Sequence, residues 1–147
     1  MSLKERLQED WKTALKNKDN FKAGVLSMTR AAILQVEKTD GSKLDDAAVV
    51  DVISKEVKQR RESVADFEKG NRQDLVDQTQ KEIEILLDYL PQQLTEEEIA
   101  EIVRSAVNES GASSMKDMGR VMSIIMPDVK GRADGKLVSQ IVKQFLN

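Results

Sequence analysis

The residues best suited to chemistry in this chain are cations and glycines in its last third. Lys130, Gly131, Arg132, Gly135 and Lys136 fall within a single short stretch, and Arg120 precedes them. Glycine exposes backbone N–H groups and cations attract phosphate, so the grouping suits contact with an anionic surface rather than bond making. It is not a Walker loop, because the order G-x-x-x-x-G-K-[ST] is missing. A second basic cluster, Lys58, Arg60 and Arg61, lies upstream. The 147 residues include neither histidine nor cysteine. The commonest general base, the commonest metal ligand, thiolate nucleophiles and disulfides are therefore excluded. The acidic runs Asp45–Asp46 and Glu96–Glu97–Glu98 stand where helices begin, and negative charge there offsets the helix dipole. No catalytic residue, metal ligand or cofactor is assigned, and the chain alone is not expected to be an enzyme.

The elements that must position these groups read as helices throughout. Apolar residues recur at three- and four-residue steps: Leu3, Leu7, Trp11, Ala14 and Leu15; then Phe21, Val25, Met28, Ala32, Ile33 and Val36. A turn at Asp40-Gly41-Ser42 precedes a long helix over about 44–69, with Val49, Ile53, Val57, Val64 and Phe67 inward and Gly70 as its left-handed stop. A fourth helix, over about 72–89, buries Leu75, Ile83, Leu86, Leu87 and Leu90. Pro91 then breaks the pattern, and Thr95 with Glu98 forms a capping box for the fifth helix, which ends near Gly111. Ser114 and Asp117 predict a similar cap for a sixth helix ending around Pro127, and Asp134 one for a seventh. The expected fold is all-α: an N-terminal four-helix unit over 1–91 and a C-terminal three-helix unit over 92–147.

Composition narrows the partners. Charged residues make up 33% and aromatics 3%, so the core is aliphatic and a stacking platform for single-stranded nucleic acid is disfavoured. The sequence pI of about 5.2 argues against indiscriminate nucleic-acid binding. Charge is unevenly spread, however: residues 113–147 carry six cations and three anions, a net of +3 in a chain of net −3. The start of the chain, Met1-Ser2-Leu3-Lys4-Glu5, has no apolar leader pattern, and no stretch approaches the roughly 18 apolar residues of a span. No membrane partner and a cytoplasmic setting are expected.

Five segments in order carry a resemblance: Lys58-Gln59-Arg60-Arg61-Glu62-Ser63, Arg72-Gln73-Asp74-Leu75, Tyr89-Leu90-Pro91-Gln92-Gln93-Leu94, Met118-Gly119-Arg120-Val121-Met122 and Gly131-Arg132-Ala133-Asp134-Gly135-Lys136. The set resembles the YqeY family over nearly the whole chain, with Thr79-Gln80 standing where the family pattern has an acidic residue. The C-terminal part is similar to the tail domain of GatB, a subunit of the glutamine-dependent aminoacyl-tRNA amidotransferase. The resemblance implies an all-helical fold in two parts. In the amidotransferase the tail belongs to the tRNA-holding portion, while a separate cradle domain activates the tRNA and another subunit supplies ammonia. Nothing in this chain resembles that cradle, so a carbon–nitrogen ligase label would describe the assembly and not this chain.

Two function classes follow. One is an accessory module for tRNA or structured RNA, with Arg120, Lys130, Gly131, Arg132, Gly135 and Lys136 against the backbone. The other is a protein-interaction module using an apolar helical groove. Each feature also has a plainer reading. The Gly131–Gly135 stretch serves equally as a helix connection, and Lys58–Arg61 as a solvated face paired locally with Glu56 and Glu62. Gly119, costly within a helix by roughly 1 kcal/mol, predicts a close approach, with a neighbouring helix favoured over RNA. Met115, Met118, Met122 and Met126 suit an adaptable groove, but most fall at core spacing. Oligomeric state is not legible.

Overall fold

A computed structural model describes residues 1–146, and within them every regular element is helical: seven α-helices and one short 3-10 turn, with no strand. The chain divides into two compact units, Met1–Leu90 and Pro91–Asn147.

The first unit holds α1 (Leu3–Lys16), α2 (Asn20–Asp40), α3 (Asp46–Lys69) and α4 (Gln73–Leu87). Short polar side chains start the first three. Ser2 accepts the Glu5 N–H at 3.1 Å, Asp19 that of Lys22 at 3.1 Å, and Asp45 that of Ala48 at 2.9 Å. Gly41, at φ +73°, closes α2 in the left-handed region. α3 stops at Gly70 as expected, but not through a left-handed glycine. Gly70 sits at φ −85°, and Asn71 takes the left-handed conformation at φ +57°, which asparagine tolerates better than most residues. α3 packs mainly on α4 and α1 on α2. Leu7, Leu26, Val49, Ile53 and Leu86 are fully buried between them, each worth about 1.5–3 kcal/mol of burial.

The inward assignment along α2 needs a correction. Val25, Leu26 and Ile33 are buried, but Phe21 and Met28 face solvent at 39% and 62% exposure. Thr29 takes the vacated core position, its hydroxyl donating to the Val25 carbonyl at 2.9 Å. On α1, Leu15 is likewise exposed.

The second unit holds α5 (Glu96–Ser110), the 3-10 turn Met115–Asp117, α6 (Met118–Val129) and α7 (Gly135–Leu146). Its core is aliphatic: Ile99, Val103, Val121, Ile125, Val138, Val142 and Leu146. The capping box forms in full. The Glu98 N–H donates to Thr95 Oγ1 at 3.1 Å, and the Thr95 N–H to Glu98 Oε1 at 3.0 Å. One expected boundary moves. Ser114 makes no side-chain cap; the Asp117 carboxylate instead accepts the Ser113 N–H at 3.0 Å, and the chain enters α6 through the 3-10 turn. α6 ends at Val129, just past Pro127, around which its end was expected. Val129 is buried and rewards the extra residues, while Pro127 itself is exposed.

Candidate nucleic-acid interface

The loop between α6 and α7 is fastened to the start of its own unit. Gly131 adopts φ +74°, a left-handed conformation in which a Cβ is strained, and so reverses the chain after α6. Its carbonyl accepts Gln93 Nε2 at 2.9 Å, and the same amide donates to the Pro91 carbonyl at 2.9 Å. The Arg132 carbonyl accepts the Leu94 N–H at 2.8 Å. The Arg132 guanidinium donates to the Gln92 carbonyl at 3.2 Å and to the Asp128 carbonyl at 3.3 Å, near the C-terminal end of α6, where carbonyls lack helical partners. Two of the five signature segments, Pro91–Leu94 and Gly131–Lys136, are thus two sides of one clasp.

The clasp sorts the candidate residues. Gly131 and Arg132 serve the clasp, Arg132 being half-buried. Lys130 and Lys136 are exposed at the two ends of the loop. Gly135 opens α7, and a Cβ there would meet nothing within 4 Å. The Asp134 carboxylate accepts the Lys136 N–H at 3.4 Å and its carbonyl the Val138 N–H at 3.0 Å, so it caps α7. Arg120 is not part of this loop. It lies near the other end of α6, about 15 Å away along the axis at 1.5 Å per residue, and pairs with Asp117 at 3.1 Å. The Ser113 N–H, together with Arg120, holds Asp117 below the ordinary carboxylate range. The close approach expected at Gly119 is absent: the residue is exposed, and an added Cβ would meet nothing within 4 Å. Met118 and Met122 pack on the core, whereas Met115 and Met126 are exposed.

The cluster on α3 also separates. Lys58 is exposed and Arg61 half-buried. Arg60, only 8% exposed, is turned inward. It bonds Glu56 at 2.8 Å on its own helix and Glu82 at 3.3 Å on α4, which corrects its reading as part of a solvated face. Sequence reasoning missed Glu82, and it missed the roles of Tyr89 and Gln93. The Tyr89 hydroxyl donates to Asp10 at 2.5 Å, and the Arg6 guanidinium lies 4.5 Å over its ring. Burial, then the bond to Asp10, pushes the Tyr89 phenol well above its usual range. The signal was present in the Tyr89–Leu94 segment, whose two ends anchor in different units. Among the described residues no group of three or more acidic side chains could hold a metal ion, and no helix is long and apolar enough to cross a membrane.

The sequence as a whole matches a known family. The Yqey-like protein family matches residues 4–146. The chain belongs to that family. It is 32% identical over 144 residues to "Altered inheritance of mitochondria protein 41, mitochondrial" of Pyrenophora tritici-repentis, covering 96% of this chain and 79% of that protein. The like-named protein of Lachancea thermotolerans is 31% identical over 147 residues, covering 95% and 79%. A shorter likeness, 42% over 50 residues, joins 34% of this chain to 7% of the E-type subunit of glutamyl-tRNA(Gln) amidotransferase from Caldivirga maquilingensis. The names of the full-length relatives state no catalytic activity. They do overturn the expectation of a cytoplasmic setting, since these relatives are named as mitochondrial. That expectation rested on the lack of an apolar leader or span, which does not distinguish one aqueous compartment from another.

Proposed function

We propose that this chain is an accessory module that holds tRNA, or a similarly folded RNA, by its backbone, and that any amide-forming chemistry belongs to other subunits. The observation that carries the reading is the 50-residue likeness to an amidotransferase subunit named for glutamyl-tRNA(Gln). The excess of cations after residue 113 supports it. Lys130 and Lys136, exposed at the two ends of the loop, are the contacts we assign to phosphate. Arg120, near the other end of α6 and paired with Asp117, forms a separate contact. Recognition of this kind reads shape and backbone, and needs neither aromatic stacking nor a base-specific motif.

The test is the salt dependence of binding to bulk tRNA, measured by fluorescence anisotropy with the full chain. Lys130→Ala combined with Lys136→Ala should weaken binding and flatten the log–log salt slope by about 1.5, at roughly 0.7–0.9 per lost phosphate contact. Arg132 is left intact, because its loss would open the clasp and confuse binding with folding. Affinity unchanged by the double substitution at low salt would refute the assignment.

A further inference from the structure

The outer face of α2 is the least expected surface of this protein. Phe21, Gly24, the adjacent pair Ser27 and Met28, Ala31 and Leu34 recur at helical spacing along one side; all six are exposed and none is charged. From Phe21 to Leu34 the stripe runs about 20 Å at 1.5 Å per residue. Other exposed positions behave differently in a chain that is 33% charged: α3 shows Lys55, Lys58, Glu62, Asp66 and Lys69 to solvent. An uncharged, partly apolar stripe of this length on a solvated helix marks an interaction surface.

A second feature adjoins it. A cleft of about 360 Å³ lies beside Leu34, with Leu7, Ile33 and Leu44 supplying apolar walls and Arg30 and Lys43 supplying cations, while Lys4 in its lining is paired with Glu37. Away from the cleft, Gly24 leaves the stripe itself open, since a Cβ there would meet nothing within 4 Å. The surroundings are basic. From Lys16 to Lys43 the chain carries six cations against three carboxylates. Two of those carboxylates are already engaged: Glu37 by Lys4 at 2.5 Å and the Leu44 N–H at 2.8 Å, and Asp19 by the Lys22 N–H at 3.1 Å. One carboxylate of opposite effect, Glu5, also lines the cleft.

We propose that this face docks an acidic amphipathic helix of a partner protein, its apolar side chains lying on Phe21, Met28 and Leu34, one of them entering the cleft, and its carboxylates meeting Arg30, Lys38 and Lys43. The charge selects this occupant over a second copy of the chain. Antiparallel pairing of two α2 helices would set the Lys38 end of one against the Lys18 and Lys22 end of the other, and parallel pairing would align lysine on lysine. An acidic helix meets the same cations favourably and lays its apolar side on the stripe. The proposal uses the first unit and is independent of the RNA reading of the second.

Photo-crosslinking tests it. Benzoylphenylalanine in place of Met28 in the full chain, expressed in its native cell, should trap a peptide that mapping shows to be net acidic with apolar residues at helical spacing. The same probe at the exposed Lys58 should not trap that peptide. A synthetic copy of the mapped segment should bind the purified chain and change the emission of the sole tryptophan, Trp11, which lies under Arg30 with 4.7 Å between guanidinium and ring centre. Met28→Glu and Leu34→Glu should each weaken that binding about tenfold, with the thermal midpoint unchanged because both positions are exposed. Adducts to a second copy of the chain, to its own C-terminal unit or to RNA would overturn the proposal, as would trapping at position 28 no greater than at position 58.

Discussion

Each of the two units of this protein is held together internally, and by different groups. In Met1–Leu90 the long-range polar ties end on carboxylates: Arg60 on Glu82, Tyr89 on Asp10, Lys4 on Glu37, and the Leu3 N–H on Asp46. In Pro91–Asn147 they end on backbone carbonyls: Gln93 on Gly131, Arg132 on Gln92, and the Leu94 N–H on Arg132. Side-chain ion pairs depend on pH and leave an unbalanced charge when one partner is lost, whereas carbonyl ties depend on backbone conformation and one glycine. The contrast also decides which cations reach solvent. In both units an arginine is absorbed by structure, its planar fork suited to several acceptors at once, while the neighbouring lysines, Lys58, Lys130 and Lys136, face outward.

The largest break in the contrast should come from Arg60. Arg60→Met removes the cation between two carboxylates whose side chains are 21% and 18% exposed. The expected loss is about 3 kcal/mol, the low end of the range for a broken buried pair, because both acids retain some solvent. Urea unfolding followed by Trp11 fluorescence reports it from the same unit. Adding Glu56→Gln and Glu82→Gln should recover much of the loss. If Arg60→Met alone is neutral, the pair contributes nothing and the first unit is held by its apolar core.

The second unit should respond to backbone geometry instead. Gly131→Ala forces a Cβ into φ +74° and should cost about 1–2 kcal/mol, read as faster amide exchange of Val103 and Val142 in the core. Gly135→Ala is the control, since neither a positive φ nor a neighbouring atom opposes a Cβ there. Equal effects at the two positions would mean that the clasp does not set the stability of this unit.

Alkaline pH should separate the units further. The Tyr89 phenol keeps its proton more tightly folded than unfolded, its ordinary value being 10.0. The stabilisation is therefore fully present below about pH 10 and is lost as pH rises above it. Tyr89→Phe should cost about 1 kcal/mol at neutral pH for the lost hydrogen bond and should remove this part of the alkaline decline in the Trp11-monitored transition. A slope unchanged in the variant would assign the decline to other groups. Acid should act on both units, because Glu37 in one and Glu98 and Asp117 in the other are held below the ordinary carboxylate range by N–H and ammonium donors. Their stabilisation is present above that range and lost as pH falls through their lowered values.

Much of the helical architecture was legible because caps and apolar periods are local. Thr95 with Glu98, Gly41 and Gly111 needed only their neighbours in sequence. What escaped were choices made by distant contacts. Arg60 falls on the stripe Val57–Arg60–Val64, so periodicity alone pointed it inward, but its charge suggested solvent until Glu82 supplied a partner. Phe21 and Met28 look like core by type, and only the packing of Val25, Leu26, Thr29 and Ile33 shows that α2 turns another side inward. At the candidate interface the cations and glycines were visible in sequence, but the division of labour among them required the carbonyls of Gln92 and Asp128, which have no sequence signature.

The smallest expected effect asks whether the cationic surface of the second unit extends beyond its loop. Gly119 lies in the first turn of α6, exposed and with open space where a Cβ would be. Nothing in the folded chain requires glycine there, so Gly119→Ala should stabilise the unit by up to about 0.5 kcal/mol, less than the full helix-interior preference because the position is near the helix start. Core amide exchange should slow accordingly. If RNA is held at Lys130 and Lys136, in the loop beyond the far end of α6, its affinity should be unchanged. A variant that is more stable and yet binds RNA more weakly would mean that backbone at Gly119 approaches the ligand beside Arg120. The binding surface would then run the length of α6, and the clasped loop would be only one end of it.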